Sequence, residues 1–195
     1  MPRPLRAAAL AATLALSGCT STNLVQVWRD PDYKSHPVKR VFCVAMMPNQ
    51  QFQGQFEDAM AQALIAKGFQ AATTTGVVPP GQYDPVAIQE YVRKNDVDLV
   101  IQQRLRKETR TEVVPASVTY GGGWYGGGVA YTSGSITNET TVIAETGVFN
   151  ARVEPNALVW SGSSSTFEAQ SAADAARSLA SALVGDMMKA GILVK

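Results

Sequence analysis

Apolar residues recur along the chain in two spacings, which predict both strands and helices. Residues 38–47 form a β-rich apolar run that predicts a central strand. Asn49 can cap a helix that ends at Lys67 and Gly68, because apolar residues recur at helical spacing between these signals. We expect this aromatic-rich stripe to lie in the core; it comprises Phe52, Phe56, Met60, Ala63 and Leu64.

The middle of the chain predicts a strand, a helix and a long strand in succession. Residues 69–75 favour a strand. Asp84 followed by Pro85 is typical of a helix start, because aspartate caps free N–H groups and proline suits the first turn. A third strand begins at Asp98, and charged residues alternate along it as far as Glu112, which indicates an exposed ribbon. The apolar face of the helix comprises Ile88, Tyr91 and Val92.

Two further strands, over residues 140–152 and 158–167, and a closing helix over residues 172–190 complete the pattern. The order β-α-β-α-β-β-β-α predicts an α/β fold, an α+β sandwich with a mixed sheet. In this fold helices wind the early strands, and the later strands form an antiparallel meander. The polar segment before residue 38 indicates a lead-in, where Val25 to Trp28 could add an edge strand.

A glycine-rich and aromatic segment interrupts the later strands. No charged residue occurs between Glu112 and Glu139. We expect a long β-hairpin with an inserted tip over about residues 113–138, where glycine allows positive φ angles. The tip is either a surface loop without a binding role or an aromatic contact for a partner protein or the membrane interface. The candidate contact residues are Tyr120, Trp124, Tyr125 and Tyr131.

The N-terminus has the pattern of an export signal. Arg3 and Arg6 precede an apolar run over residues 7–16 that is too short to span a bilayer, which indicates a cleavable signal peptide. The run ends in Leu16, Ser17, Gly18 and Cys19, which resembles the lipobox of bacterial lipoproteins. The resemblance implies cleavage before Cys19 and fatty acylation of that cysteine.

Such processing divides the chain into a signal peptide, residues 1–18, a lipidated tether and lead-in, residues 19–37, and a single domain, residues 38–195. Three acyl chains anchor a protein in effect permanently. Thr20 follows the cysteine, whereas the resemblance to Gram-negative lipoproteins implies that an aspartate there favours retention in the inner membrane. We therefore expect the inner leaflet of the outer membrane, with the domain facing the periplasm.

The net charge limits the classes of partner that we expect, and the cysteine content limits the disulfides. The whole chain has a net charge of +1, and cleavage would remove two arginines and leave it near −1, so neither nucleic acid nor another polyanion is expected as a partner. Cys43 is the only cysteine apart from Cys19, so no intrachain disulfide is expected. Cys43 lies within an apolar run and is expected to be a buried thiol.

Residues that could carry catalysis are few. His36 is the only histidine, which disfavours catalytic triads and imidazole metal sites. The hydroxyl-rich run over residues 162–166 lacks the second glycine of a nucleophile elbow and predicts a strand. Glu57 and Asp58 are adjacent helix positions, so their carboxylates cannot flank one bond. We expect no enzyme activity, no metal and no cofactor beyond the lipid on Cys19.

Residues 121–126 match the dinucleotide fingerprint, with glycines at the first, third and sixth places. A real fingerprint lies between a strand and a helix whose N-terminus holds the pyrophosphate. Here the following residues, 129–132, favour a strand, so we expect no nucleotide.

Glu145 is a candidate for a structural ion pair. It shares strand parity with Ile143 and Phe149, so its carboxylate is buried and must be paired if that face is the core. Arg104 or Arg106 is the expected partner, and we predict a pair between Glu145 and Arg104 rather than a catalytic acid.

Four segments carry a family resemblance: residues 56–59 (Phe-Glu-Asp-Ala), 98–101 (Asp-Leu-Val-Ile), 145–146 (Glu-Thr) and 158–161 (Leu-Val-Trp-Ser). In this order they resemble a widespread group of uncharacterised Gram-negative envelope lipoproteins, over most of the mature chain. The layout is more distantly similar to the N-terminal domain of the Tol-system propeller protein and to the periplasmic part of curli-type secretion lipoproteins. These resemblances imply binding or assembly and transfer no site.

The leading hypothesis is a non-enzymatic, outer-membrane-anchored periplasmic lipoprotein that acts as a binding or envelope-assembly module. Its partners would be the membrane, through the lipid, and an unknown envelope protein or further copies of itself. The alternatives are a ring-forming component of a secretion-type assembly and a periplasmic hydrolase that uses carboxylates.

Overall fold

A computed structural model describes residues 21–47, 49–79, 82–114, 117–121, 128–132, 135–153, 156–167 and 171–195. Within these ranges the elements follow one another as β1 (Ser21–Arg29), β2 (Arg40–Met46), α1 (Gln50–Ala66), β3 (Gln70–Thr73), α2 (Pro85–Lys94), β4 (Leu99–Val114), β5 (Ser117–Gly121), β6 (Gly128–Thr132), β7 (Ser135–Asn150), β8 (Ala157–Phe167) and α3 (Ala172–Lys189). Among the helices of these ranges, none is both long and apolar enough to cross a bilayer.

Six of the strands form one mixed sheet in the order β1-β8-β7-β4-β2-β3. Strand β2 is parallel to both β3 and β4, because α1 and α2 return the chain to the same end of the sheet. From β4 onwards the pairing is antiparallel: β4 with β7, β7 with β8, and β8 with β1. The predicted α/β fold, with wound early strands and a later antiparallel meander, is confirmed.

Local sequence signals set the helix ends. The Asn49 side chain accepts hydrogen bonds from the backbone N–H groups of Gln51 and Phe52, and Asp84 caps α2 in the same way. Helix α1 ends at Ala66, with Lys67 as its C-cap, and Gly68 follows at φ +87°, a conformation that glycine adopts without strain. The predicted caps are therefore confirmed.

One face of the sheet is covered by α1 and α3. Its core contains the side chains of Trp160, Met60 and Leu183, each 0% exposed. The Trp160 ring fits because Gly162 has no side chain: a Cβ there would overlap the ring. Phe52 was expected in this core but is 40% exposed. The reason is helical geometry, since Phe52 lies roughly 80° around α1 from Met60, at the margin of the buried face.

The other face of the sheet is covered by α2 alone in the described part of the chain. Ile88 and Val92 of α2 pack with Phe42, Val44 and Val100 to form a second, smaller core over β2 and β4. Strands β7, β8 and β1 have no helix over this face among the described residues. We call this region, from β7 to β1, the uncovered face.

The edge strand expected at Val25 to Trp28 is present and longer than predicted. Strand β1 runs over Ser21–Arg29 and pairs with β8 from Ser21 opposite Phe167 to Arg29 opposite Trp160. The register shifts between Leu24 and Gln26, which makes Val25 a bulge. The first half of the expected lead-in is thus part of the sheet, and the boundary predicted at residue 38 does not separate it from the domain.

The hairpin is longer than the pattern indicated. Strands β4 and β7 pair continuously from Leu99 opposite Asn150 to Val114 opposite Ser135, because β7 begins at residue 135 and not at 140. Beyond them β5 and β6 form a separate two-stranded sheet.

Candidate functional site

The buried carboxylate of Glu57 holds three elements together. It accepts hydrogen bonds from the backbone N–H of Ala45 (2.9 Å), from the Thr74 backbone N–H (3.1 Å) and hydroxyl (2.7 Å), and from the Gln53 amide (3.1 Å). Glu57 is 1% exposed, whereas Asp58 beside it is exposed. The expectation that the two acids point apart is confirmed, and Glu57 is engaged in structural bonds that join α1 to β2 and to the end of β3.

Asp98 has a similar role at the opposite end of β2. Its carboxylate accepts from the backbone N–H groups of Lys39 (2.6 Å) and Arg40 (2.9 Å) and from Nε of Arg152 (2.7 Å). Burial by itself raises the pKa of Asp98, but these hydrogen bonds and the Arg152 charge outweigh it and hold the pKa below the ordinary value. A carboxyl group that is ionised and fully bonded in this way is suited to joining strands and not to proton transfer.

Cys43 and His36 are the other residues with reactive side chains that the sequence drew attention to. Burial, together with the Glu57 charge, raises the pKa of the Cys43 thiol far above its usual range, so the thiolate is not formed. The Nδ1 atom of His36 lies 3.3 Å from the Tyr33 hydroxyl. In the described ranges no three His, Cys, Asp or Glu side chains are grouped closely enough to hold a metal ion.

Two runs of the sequence resemble functional motifs, the nucleophile elbow and the dinucleotide fingerprint. The hydroxyl-rich run lies on β8, as predicted, and the Ser164 hydroxyl donates to the carbonyl of Ala144 on the neighbouring strand. The fingerprint-like run begins at the end of β5, and the next described element is the antiparallel strand β6 and not a helix. The hydroxyl-rich run therefore lies inside a strand and not at a strand-to-helix turn, and the described elements on either side of residues 122–127 are both strands.

Glu145 is exposed, so the face that it shares with Ile143 and Phe149 is not the core, and the condition for a buried carboxylate is not met. The side of β7 that carries Ile143, Glu145 and Phe149 is the uncovered face, whereas Ala144 and Val148 face the core under α3. Arg104 stands directly opposite Glu145 in the β4–β7 register and is also exposed. The register fits the predicted pair, whose side-chain contact stays a prediction.

A groove runs between α2 and the uncovered face, with a volume of about 1070 Å³. Its floor is mainly apolar and comprises Val44, Val100 and Phe149, together with the polar side chain of Gln102. The Phe149 ring lies along β7, close enough that a Cβ at Gly147 would be 3.1 Å from its edge. The rim comprises Tyr83, Val86, Glu90, Arg93 and Asn156. Val86 is 72% exposed and Tyr83 is 51% exposed, so the rim offers apolar surface to solvent.

A second, shallower depression of about 520 Å³ lies on the same face next to β1. It is lined by Gln26, Trp28, Glu145, Ser161 and Ser163. Small polar side chains on β8 leave this part of the sheet flat, with Trp28 standing at its border and 46% exposed. The uncovered face therefore has an apolar groove at one end and a polar floor with one indole at the other.

The predicted site residues fall partly outside the described ranges. The predicted site residues outside the described ranges are Leu16, Ser17, Gly18, Cys19, Trp124 and Tyr125. Tyr120 lies on β5 and Tyr131 on β6, so the paired strands bring these two backbone positions near each other. Their role as contacts stays a prediction.

Neither the groove nor the hydrogen-bonded cluster around Glu57 was predicted from the sequence. Helical spacing could have found Glu57, which shares the stripe of Met60 and Leu64 at intervals of three and seven residues. The groove could not be found in that way, because Val44, Val100 and Phe149 meet only once the strand order is known.

No protein-family model matches the chain, and no curated protein sequence does either. Among solved structures, the chain is similar to the PelC dodecamer from Paraburkholderia phytofirmans, at 14% identity over 84% of this chain and 94% of that chain, with a TM-score of 0.49. A variant of that dodecamer in another crystal form matches at 14% identity over 85% of this chain and 95% of that chain, with a TM-score of 0.48. Likeness at this level assigns no function, and the resemblance to envelope lipoproteins stays a prediction.

Proposed function

We propose that this protein is a lipid-anchored, non-enzymatic module of the bacterial envelope that assembles with further copies of itself. The covalent lipid is the one expected on Cys19, and the domain faces the periplasm from the inner leaflet of the outer membrane. The observation that carries the proposal is the apolar groove beside α2, which a soluble domain would ordinarily close with another element.

The non-enzymatic part of the proposal is supported by the state of the buried acids. Glu57 and Asp98 are fully used in bonds to backbone N–H groups and neighbouring side chains. A carboxylate-based hydrolase needs two acids that face each other across a cleft and exchange protons with a substrate. Along the described lining of the groove Glu90 is the one acid, and it is paired with Lys94 at 2.6 Å.

The choice of a second copy as partner is supported by charge. The groove has a mainly apolar floor and a rim that carries one acid, Glu90, and one base, Arg93. Such a rim favours neither a polyanion nor a strongly basic partner, whereas it suits a nearly neutral protein surface. This chain is itself nearly neutral, with a net charge of +1 before any processing.

The mass of the acylated protein in detergent tests the proposal. We expect a multimer for the wild type and a shift towards monomer for Val86→Glu, because a carboxylate on the rim would be buried in the contact. Glutamate suits the first turn of α2, so the helix is retained. The matched control is Ile65→Lys, a change at an exposed position near the end of α1 on the opposite side of the sheet, which should leave the multimer intact.

Two results would contradict the proposal. A wild-type protein that is monomeric at every concentration would overturn self-assembly. A multimer that survives Val86→Glu and dissociates with Ile65→Lys would move the contact away from the groove.

A further inference from the structure

The distance along the chain between the expected lipid and the sheet is very short. Cys19 stands two residues before Ser21, and Ser21 is already paired with Phe167 as the first residue of β1. Two residues span at most about 7 Å between Cα atoms. If Cys19 carries the lipid, as the proposed function requires, the start of β1 lies within that distance of the anchored residue, and no flexible tether separates the sheet from the membrane.

Strand β1 exposes three large apolar side chains at this edge, on either side of Gln26. Val25 is 65% exposed, Val27 47% and Trp28 46%. Successive residues of a strand point to opposite faces, so Val27 and Trp28 flank the edge from both sides, and Val25 bulges out of the β8 register. An exposed apolar edge strand is a liability in water, because other chains can pair with it.

We propose that the free edge of β1 lies in the headgroup layer of the membrane, with Val25, Val27 and Trp28 in contact with lipid. The headgroup layer of each leaflet is roughly 5 to 8 Å thick, which matches the length of chain between Cys19 and β1. Indole rings favour this layer because one edge is polar and the body is apolar. Water and lipid headgroups hydrogen-bond the backbone groups that β1 leaves unpaired.

The charged residues near β1 carry no excess of positive charge, so the contact with the membrane is apolar and not electrostatic. Arg29, at the end of the strand, is partly buried and donates a hydrogen bond to the carbonyl of Tyr33 at 3.0 Å. Asp30 and Asp32 follow it, so the strand end has no basic excess to attract anionic lipid. The contact therefore depends on the acyl anchor and the apolar edge, and salt should weaken it little.

This orientation also determines how far the groove lies from the membrane. Neighbouring strands are about 4.8 Å apart, so β4 and β2, three and four strands from β1, stand roughly 14 to 19 Å above the membrane edge of the sheet. The groove lies over these strands, and it therefore opens beside the membrane and not into it. Copies anchored in one leaflet would present their grooves at the same height.

A fluorescent probe at position 27 tests the orientation. The acylated protein carries Val27→Cys labelled with an environment-sensitive dye, and Cys43 stays unlabelled because it is buried. The control is Ile65→Cys, an exposed position on α1 that lies outside the proposed contact between copies, and Val25→Cys is a second probe on β1. Each protein is bound to vesicles of phosphatidylethanolamine and phosphatidylglycerol, with and without spin-labelled lipid. Acylation is measured by intact mass and binding by flotation.

We expect the dye at positions 27 and 25 to shift to shorter wavelength on vesicles and to lose emission to spin-labelled lipid, while the dye at position 65 keeps its emission. Acylated, floating protein whose β1 dyes are not quenched by lipid would overturn the orientation and leave the anchor in place. A blue shift without quenching would mean that protein covers β1, which also overturns it. Protein that is neither acylated nor floating would overturn the proposed anchor itself.

Discussion

The two faces of the sheet are built from alternate residues of the same strands, yet they are covered differently. On one face Ala144, Val148 and Trp160 are closed in by α1 and α3. On the other face Glu145 and Phe149, from the same strand β7, are reached by solvent because α2 covers only β2 and β4. The covered face accounts for stability, whereas the uncovered face is available for contact with other molecules.

We expect the largest difference between the two faces when the loss of stability is compared for two tryptophan substitutions. Trp160→Ala should lower the free energy of unfolding by about 3 to 5 kcal/mol, because it removes a fully buried side chain and leaves a cavity. Trp28→Ala should cost about 1 kcal/mol or less, since the side chain is half exposed. Urea unfolding of the protein expressed from residue 21 gives both values, and equal losses would contradict the division into two faces.

The next effect concerns the buried acid on the covered side. Glu57→Gln should cost about 3 kcal/mol, because the amide places a donor where the backbone N–H groups of Ala45 and Thr74 require acceptors. Asp58→Asn is the matched control on the exposed side of α1, and its effect should stay within about 0.5 kcal/mol. The same unfolding experiment compares them; a small loss for Glu57→Gln would mean that the cluster is not needed for stability.

Much of this architecture could be predicted from local signals. The caps at Asn49 and Asp84 and the apolar run of β2 depend on neighbouring residues, so sequence alone was sufficient. The exposure of Glu145 depends on which face of the sheet receives helices, and the groove depends on the order β7-β4-β2. Both properties depend on residues far apart in the sequence, so the spacing of residues within one strand cannot predict them. The full length of β1 was missed because its polar residues pair with a strand more than a hundred positions away.

A smaller effect at Asp98 depends on pH. The pKa of Asp98 is held below its ordinary value of 3.8, so the unfolded state takes up the proton more readily than the folded state. The stability that Asp98 contributes is therefore present at neutral pH and is lost as the pH falls below about 4. Asp98→Asn should cost about 2 kcal/mol at neutral pH. Unfolding curves across the acid range should show the gap to wild type closing, and a gap that stays constant would contradict this role.

The smallest expected effect is on the uncovered face. Glu145→Gln should change stability by at most about 0.5 kcal/mol, because Glu145 and Arg104 are both exposed and an exposed pair contributes little. Thermal melts at low and high salt would detect any contribution. A drop of several degrees would mean that the carboxylate is held in a buried pair, as the strand pattern alone suggested.

The most direct test of self-assembly through the groove is photocrosslinking in cells from a probe amino acid at position 86, in the chain expressed from residue 1. The control probe stands at position 65, which is also exposed but lies on α1. We predict a ladder of multimers of this chain from position 86 and none from position 65. Crosslinks from position 86 only to other proteins, or none at all, would contradict the proposal that the groove receives a second copy.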